Sequence, residues 1–252
     1  MLIDTHCHIH ETYELPIDEV LERAAEADVG EYLCVGTSEK SSQLAIDFAD
    51  THPAAYAVIG VHPHDTKDGY RAIANLAGTS SKIVAVGEIG LDYFYTHSLR
   101  EVQMEALETQ IQIALKHSLP IIFHVREAFD DFWPIFDKYP HIRGVLHSFT
   151  DSSVNLQMAL ERGLYIGVNG ISTFTKDEAQ KATFDSIPLG RLLLETDAPF
   201  LTPAPLRGKV NEPAYVKLVA EYHANRRGLP LKVIADATTA NARALFSLTT
   251  LS

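Results

Sequence analysis

Short apolar runs alternate with longer segments of mixed polarity along the whole 252-residue chain. Most of these runs are rich in Ile, Val and Leu, and they begin near Leu2, Glu31, Ala55, Ile83, Pro120, Arg143, Leu164 and Arg191. Continuous apolar runs of roughly four to eight residues are typical of strands that are buried on both faces of a parallel sheet. The distance between runs, roughly 20 to 40 residues, leaves room for one crossover helix after each strand. The pattern therefore predicts eight strands that alternate with helices.

The segments between the runs carry helix signals. Pro16 stands just before two acidic residues, an order typical of a first helical turn, where acids favour the helix dipole. Residues 98–117 carry apolar groups at near-helical spacing. Ser98 and Glu101 match a capping box, so we expect Ser98 to cap this helix.

Eight strands alternating with helices at this length predict an α/β fold, a (β/α)8 TIM barrel that forms one domain over residues 1–252. A doubly wound open sheet is the alternative. The sequence has no G-x-G-x-x-G after a strand and no G-x-x-x-x-G-K-[ST], which are the phosphate-binding loops of many doubly wound proteins. We therefore expect the barrel.

Histidines and carboxylates stand at the carboxyl ends of most predicted strands. They are His6, His8, His62, His64, Glu88, Asp92, His124, His147, Glu195 and Asp197. In a (β/α)8 barrel these strand ends converge on the face that carries the chemistry. His6 and His8 are two residues apart, so on a strand their side chains point to the same face. For any one of these histidines, a hydrogen-bonded core group is the competing interpretation.

The joint occurrence of these groups favours a metal site. Burying several imidazoles and carboxylates together is unfavourable without partners, and a shared cation supplies them. A mixed set of histidine and carboxylate ligands suits zinc, manganese or magnesium. Cys7 lies between His6 and His8 on the opposite strand face, and Cys34 lies inside the second predicted strand. Both cysteines are expected to be small core residues.

Composition and charge limit the classes of protein. The chain has 21 Lys+Arg against 33 Asp+Glu, a net charge of −12, which argues against a passive coat on DNA. An enzyme that recruits phosphate through bound cations remains compatible with this charge. Two cysteines are too few for a disulfide framework, and no apolar run is long enough to span a membrane. The first residues lack the features of a signal peptide, so a cytoplasmic protein is expected.

Several motifs together resemble a known family. They are DTHCH (4–8), IGVHPH (59–64), GEIGLDY (87–93), HVREAFDD (124–131), LHSFT (146–150), LLLETDAPFLTP (192–203), RGKVNEPAYV (207–216) and TTANARALF (238–246). In this order they resemble the TatD family of metal-dependent deoxyribonucleases, which belongs to the amidohydrolase superfamily of (β/α)8 barrels. The combination is specific although no single motif is, and it covers the chain from residue 3 to about residue 246.

The resemblance implies a set of metal ligands. One metal ion would be held by His6, His8 and Asp197, and a second by His124 and His147, with Glu88 bridging the two. His62 and Asp92 would lie in the second shell or on the substrate side, near a third ion if one binds. The expected cofactors are therefore two divalent ions (Mg, Mn or Zn), with room for a third.

The chemistry that fits these residues is cleavage of phosphodiester bonds in DNA by attack of a metal-activated water. Asp197 is the candidate general base, and Glu88 is the second candidate catalytic residue. Arg126 and Arg207 are candidates for binding a phosphate, whereas Lys209 is more typical of a solvated surface charge. Aromatic residues of the predicted loops could stack on bases or pack against the barrel rim: Tyr93, Phe94, Tyr95, Phe149, Phe174 and Phe200.

We therefore expect a 3′→5′ exodeoxyribonuclease that prefers single-stranded DNA ends, has no membrane partner and is a monomer. The same ligand set can also activate water against a small amide, ester or lactone, or against an aminoacyl-tRNA ester. These enzymes remain the alternative because the ligands alone do not separate phosphodiester from acyl substrates. A non-catalytic metal-binding protein is a further alternative, disfavoured by the complete ligand set.

Overall fold

The structure, a computed structural model, describes residues 1–249 and contains all eight predicted strands. They are β1 (Leu2–Cys7), β2 (Val29–Val35), β3 (Ala55–Ile59), β4 (Ile83–Asp92), β5 (Ile121–Arg126), β6 (Gly144–Leu146), β7 (Tyr165–Val168) and β8 (Leu192–Leu194). They follow one another in chain order through the sheet, and the pairs with a described register are parallel. This order, with intervening helices, is that of a (β/α)8 barrel, so the predicted fold class is confirmed.

The α-helices are α1 (Ile17–Glu26), α2 (Glu39–Thr51), α3 (Ile73–Leu76), α4 (Arg100–Lys116), α5 (Phe129–Phe136), α6 (Ser153–Glu161), α7 (Ile171–Phe174), α8 (Glu178–Ser186), α9 (Val216–Arg227) and α10 (Leu231–Phe246). Short 3₁₀ turns span Pro63–Asp68, Leu189–Arg191 and Pro213–Tyr215. As predicted, α1 begins directly after Pro16, with two acidic residues in its first turn. Within residues 1–249, no helix is long and apolar enough to cross a membrane.

The predicted capping box at Ser98 and Glu101 is wrong. Helix α4 begins at Arg100, and its N-cap residue Leu99 makes no side-chain capping bond. The Ser98 hydroxyl instead donates to the backbone oxygen of His64 at 2.7 Å. It also accepts from the backbone nitrogen of Lys67 at 3.2 Å. Ser98 thus connects the loop after β4, through two hydrogen bonds, to the 3₁₀ turn that carries His64.

Contacts between residues divide the chain into two compact units. The first unit is Cys34–His147, which contains β3 to β6. Its longest strand is β4, whose ten residues are all buried. The register pairs Gly90 of β4 with His124 of β5, and Asp92 with Arg126. The ends of β4 and β5 therefore carry polar groups side by side.

The second unit combines Met1–Leu33 with the chain from Ser148 onward. Strand β7 pairs with β8, and an isolated parallel bridge joins Cys7 to Ala198. Helices α9 and α10 pack against β1 and β8. The expectation that residues 1–252 form a single domain stays a prediction.

Both cysteines are core residues, as the sequence predicts. Cys7 and Cys34 are fully buried, and neither forms a disulfide. The Cys7 thiol points away from the neighbouring imidazoles and donates to the backbone oxygen of Leu33 at 3.3 Å. This contact supports its assignment to packing rather than to metal binding.

Candidate metal centres

His6, His8 and Asp197 form one group of donors, which we call the β1–β8 cluster. The backbone nitrogen of Asp197 donates to His6 O at 2.8 Å, and that of His8 donates to Ala198 O at 2.7 Å. These bonds continue the pairing of β1 beyond the end of β8. Asp197 Oδ1 therefore lies 3.6 Å from His6 Nε2 and 3.3 Å from His8 Nε2.

The carboxyl group of Asp4 accepts hydrogen bonds from both backbone segments that carry this cluster. Its Oδ1 accepts from the Thr196 nitrogen at 2.9 Å and from the His6 nitrogen at 3.3 Å. Its Oδ2 accepts from the Thr196 hydroxyl at 2.6 Å. Thr196 Oγ1 in turn accepts from Ala198 N at 3.1 Å. Asp4 and Thr196 thus fix the segments on which His6 and Asp197 stand.

Burial raises the pKa of Asp4 to about 8, against which its hydrogen bonds with Thr196 act. Asn211 reinforces the segment after β8, because its side-chain nitrogen donates to Thr196 O at 2.8 Å. Neither Asp4 nor Asn211 was predicted from the sequence as a functional residue. Asp4 could have been found, since it lies two residues before His6 and on the same strand face. Asn211 is distant in the chain, so no spacing rule points to it.

A third histidine, His10, follows His6 and His8 at the same two-residue interval. It is buried, with its ring centroid 6.4 Å from that of His8. Burial and the neighbouring His8 lower the pKa of His10 to about 3, which keeps its ring neutral. The sequence analysis did not select this residue, although the alternating pattern contains it.

A second group of donors stands in the carboxyl-terminal parts of β4 and β5, directly after β6 and on the turn after β3; Glu88, expected at the end of the fourth strand, is an interior residue of β4, which continues to Asp92. It comprises His62, His64, Glu88, Asp92, His124 and His147, and we call it the β4–β5 cluster. Glu88 Oε2 lies 3.1 Å from His147 Nε2 and 3.4 Å from His124 Nδ1. The structure thus brings together the predicted ligands Glu88, His124 and His147.

Asp92 contacts the other nitrogen of the His124 ring. Its Oδ2 lies 2.9 Å from His124 Nε2 and 3.1 Å from His64 Nε2. A carboxylate on one imidazole nitrogen orients the ring and leaves the other nitrogen for a cation. Because Nδ1 faces Glu88, Asp92 is placed to orient His124 as a ligand on the Glu88 side.

The protonation of this pair follows from the same contacts. Burial acts to raise the pKa of Asp92, but the hydrogen bond from His124 and its charge hold that pKa below its ordinary value. Burial likewise acts to lower the pKa of His124, and the hydrogen bonds to Asp92 and Glu88 outweigh it and raise that pKa. Without a cation, the two carboxylates therefore favour a proton on His124.

His62 is oriented differently. Its Nδ1 accepts from the backbone nitrogen of His64 at 3.1 Å. The proton of the neutral ring is therefore assigned to Nε2, which makes this atom a hydrogen-bond donor. Burial and the charge of the neighbouring His124 lower the pKa of His62 to about 3, so the ring stays neutral. The hydrogen bond and the burial therefore leave His62 with Nε2 as its donor atom.

The donor sets fit divalent cations. The donor atoms lie within 4.8 Å of one another in each of three sets: His6, His8 and Asp197; His62, Glu88 and His124; and His62, His64 and Asp92. Imidazole nitrogens combined with carboxylate oxygens are ligands of zinc and manganese, and magnesium binds through the carboxylates with waters. His64, which the sequence places after the third strand without assigning it as a ligand, belongs to the third set.

The two predicted phosphate-binding arginines are both exposed, and each lies on an aromatic ring. Arg126 Cζ lies 3.7 Å from the ring centroid of Phe94. Arg207 Cζ lies 3.9 Å from the ring centroid of Phe174, and its guanidinium donates to Thr202 O at 2.7 Å.

The aromatic residues of the loops divide between the two expected roles. Phe94, Tyr95 and Phe200 are largely exposed, so their rings are available to a ligand. Phe149 is buried, so for this residue packing within the core is the better interpretation.

Comparisons with known proteins show which family the chain belongs to. Residues 3–247 match the family model described as TatD related DNase. An uncharacterized metal-dependent hydrolase, YabD of Bacillus subtilis (strain 168), is 38% identical, over 98% of this chain and 100% of that protein. The 3′-5′ ssDNA/RNA exonuclease TatD of Citrobacter rodentium (strain ICC168) is 39% identical, over 92% of each chain.

A solved structure gives the same result. The crystal structure of YJJV, a TatD homolog from Escherichia coli K12, superposes with a TM-score of 0.91 at 30% sequence identity. The superposition covers 98% of each chain. The resemblance seen in the motifs is thereby confirmed, and the chain belongs to the family of TatD-related DNases.

Proposed function

We propose that this protein is a divalent-metal-dependent exonuclease that hydrolyses phosphodiester bonds from the 3′ end of single-stranded nucleic acid. The observation that carries the proposal is the placement of histidine and carboxylate donors at the ends of β1, β4, β5, β6 and β8, in a chain of this family. The 3′→5′ direction and the single-stranded substrate are supported by the name of the Citrobacter relative, which includes both DNA and RNA.

We assign the ligands as the sequence motifs imply. His6, His8 and Asp197 would hold one ion, His124 and His147 would hold a second, and Glu88 would contribute to both. Bound divalent ions supply an activated water and stabilise the charge of the phosphoryl group. The ions would be Mg, Mn or Zn. A third ion in the set of His62, His64 and Asp92 requires His62 to give up its hydrogen bond from the His64 nitrogen.

The protein's own groups then have separate tasks. Asp197 accepts the proton of the attacking water, since a carboxylate held beside two imidazoles is a suitable base. Asp92 keeps His124 in the ligating orientation. His62 donates to a phosphate oxygen through Nε2, and Arg126 and Arg207 bind phosphates through their guanidinium groups. We further propose that the protein acts as a monomer in the cytoplasm.

The test uses the purified protein with a 5′-labelled single-stranded oligonucleotide and Mg²⁺ or Mn²⁺. We expect a ladder of products shortened from the 3′ end, and no products from an oligonucleotide with a blocked 3′ end. Equal digestion of blocked and unblocked oligonucleotides contradicts the proposed polarity. Glu88→Ala and Asp197→Ala should each abolish hydrolysis while circular dichroism shows a folded protein. Asp236→Ala, a change of an exposed acid paired with Lys232, is the control.

The acyl alternatives are tested in parallel. Lactones, dihydropyrimidines and an aminoacyl-tRNA are offered to the same preparation at the same metal concentration. Turnover of one of these substrates, without turnover of the oligonucleotide, places the protein among the other amidohydrolases. Elemental analysis of the protein reports the number and identity of the bound ions, and RNA oligonucleotides of the same sequence test the choice between DNA and RNA.

A further inference from the structure

Two aromatic side chains are exposed on the loop directly after β4. Phe94 and Tyr95 each keep 46% of their surface exposed. Their ring centroids are 4.6 Å apart, with the ring planes nearly perpendicular at 88°. Large exposed aromatic groups are uncommon on a surface without a ligand, and adjacent ones indicate a contact surface.

Arg126, at the end of β5, completes this surface. Its Cζ lies 3.7 Å from the ring centroid of Phe94 and 5.4 Å from that of Tyr95. Among residues 1–249, Arg126 makes no ion pair and no side-chain hydrogen bond, unlike Arg71 and Arg226, which pair with carboxylates. The face of the guanidinium is thus covered by a ring, whereas its hydrogen-bonding edge has no partner within that part of the chain. We call Phe94, Tyr95 and Arg126 the aromatic–arginine shelf.

The shelf is fastened to the β4–β5 cluster. Asp92 Oδ1 accepts from the backbone nitrogens of Phe94 at 3.0 Å and Tyr95 at 3.3 Å. The other oxygen of the same carboxylate contacts His124. Arg126 is the register partner of Asp92 and lies two residues after His124 on the same strand. A ligand on the shelf therefore lies beside the donors that the proposed reaction uses.

We propose that the aromatic–arginine shelf binds one nucleotide of a single-stranded nucleic acid, with its phosphate on Arg126 and its base stacked on Tyr95 and against the edge of Phe94. The proposal rests on the proposed function and names where that substrate is held. A planar guanidinium backed by a ring presents its edge to a phosphate, and aromatic rings stack on any base. On a chain of net charge −12, a cation without an ion pair favours an anionic ligand over an apolar or a basic one.

Binding is measured first, without turnover. The metal-loaded protein is titrated into a fluorescently labelled single-stranded oligonucleotide whose phosphorothioate linkages resist cleavage, and anisotropy gives the Kd. Tyr95→Ala should weaken binding about 5- to 150-fold, the range for loss of one base stack, and Phe94→Ala should weaken it as well. Arg126→Ala should weaken it at least as much, and Arg126→Lys should recover only part because an ammonium does not stack on Phe94 in the same way.

The matched control is Arg191→Ala. Arg191 also lies on an aromatic ring, with its Cζ 5.0 Å from the Tyr165 centroid, but it stands at the amino end of β8. Its substitution should leave the Kd unchanged. All four altered side chains are at the surface, and a melting curve checks that each variant is folded. Wild-type affinity in the three shelf variants overturns the proposal.

A substrate lacking bases separates stacking from charge. An oligonucleotide with abasic sites at its last nucleotides should be bound and cleaved less well than a normal one by the wild-type protein. The double variant Phe94→Ala/Tyr95→Ala should treat the two substrates alike, since it has no rings on which a base can stack. If the double variant still discriminates against the abasic substrate as strongly as the wild type does, the proposal that a base stacks on the shelf is wrong.

Failure of the shelf and failure of the proposed function give different results. If the wild-type protein with Mn²⁺ cleaves no oligonucleotide, the proposed function is wrong. If the wild type cleaves and the shelf variants cleave with the same kcat/KM, only the shelf is wrong. The expected result is a loss of kcat/KM in the shelf variants that arises mainly from a higher KM, because these residues bind substrate without taking part in the bond cleavage.

Discussion

Asp4 is a buried carboxyl group that touches no candidate ligand atom and yet fixes two of the ligand-bearing segments. It accepts three hydrogen bonds, from the nitrogens of His6 and Thr196 and from the Thr196 hydroxyl. Each of these donors is next to, or part of, a residue of the β1–β8 cluster. The geometry of His6 and Asp197 therefore depends on a residue of the same motif that binds no cation itself.

Asp4→Ala should lower both stability and metal binding. The substitution leaves buried donors without an acceptor, and each such donor lowers the free energy of unfolding by about 1–3 kcal/mol. Chemical denaturation and elemental analysis measure the two effects. Asp4→Asn is the control, because it keeps the size and one acceptor oxygen, and it should recover part of both losses. An alanine variant with the full metal content of the wild type argues against the positioning role.

His223 is a buried residue of α9 far from the ligands in the chain, and its Nε2 lies 3.1 Å from Ser172 Oγ. Burial, together with the charge of Arg227, lowers the pKa of His223 from 6.5 to about 3. The unfolded chain binds this proton at a higher pH than the folded one. The contribution to stability is therefore complete above pH 6.5 and is lost as the pH falls toward 3.

His223→Phe should remove this pH dependence. Between pH 7 and pH 5, the wild-type protein should lose about 2 kcal/mol more of its free energy of unfolding than the variant does. Urea denaturation at both pH values measures the difference. His141→Asn, at an exposed histidine, should show the wild-type dependence. A parallel decline of the His223 variant and the wild type means that other groups account for the acid sensitivity.

At the scale of elements, β4 carries polar and small residues at alternating positions, Glu88, Gly90 and Asp92. Glu88 and Asp92 contact the two nitrogens of His124, and Gly90 lies between them opposite His124 in the register. A Cβ at Gly90 would lie 1.8 Å from the backbone oxygen of His124. The close approach of β4 and β5 therefore requires a glycine at this position.

Gly90→Ala should force β5 away from β4 and displace His124 from Glu88. Overpacking of this kind destabilises a protein by about 1–3 kcal/mol or more. We expect a lower Tm and a reduced metal content, measured by calorimetry and elemental analysis. Gly190→Ala is the matched control, since a Cβ there meets no atom within 4 Å. A Gly90 variant with an unchanged Tm would falsify the steric argument.

The strands, and the positions of the candidate ligands near their ends, could be predicted from the sequence because both follow short-range patterns. Strand residues form apolar runs, and His6, His8, Glu88, His124, His147 and Asp197 stand near the carboxyl ends of those runs. The rest depends on contacts that no local pattern encodes. Ser98 matches a capping box but bonds to His64 and Lys67 instead. The roles of Asp92 toward His124 and of Asn211 toward Thr196 likewise depend on residues distant in the chain.

At the scale of the molecule, the net charge of −12 includes carboxylates that are expected to face metal ions. Glu88, Asp92 and Asp197 belong to the candidate metal centres, so part of the negative charge is expected to face cations rather than solvent. Bound ions also neutralise the local repulsion between these carboxylates. The acidic remainder of the chain predicts weak and transient contact with a polyanion, confined to the few arginines that lie near the site.

Removal of the metals should therefore abolish activity and destabilise the fold together. A ligand that binds only the folded state, present at 100 times its Kd, stabilises it by about 2.7 kcal/mol. We expect chelation to lower the Tm, and added Mn²⁺ or Zn²⁺ to restore it. Calorimetry with the Asp197→Ala variant is the control, because its response to added metal should be smaller. A Tm that does not change on chelation would show that bound ions do not stabilise the folded state.

The burial of both thiols has a practical consequence. Cys7 and Cys34 are the only cysteines in the sequence, and neither has any exposed surface. A cysteine introduced at an exposed position such as Val154 would be the single thiol open to a maleimide dye under native conditions. Site-specific labelling then needs no cysteine-free variant. The dye can report, in real time, the release of a shortened nucleic-acid product from a protein that is otherwise unaltered.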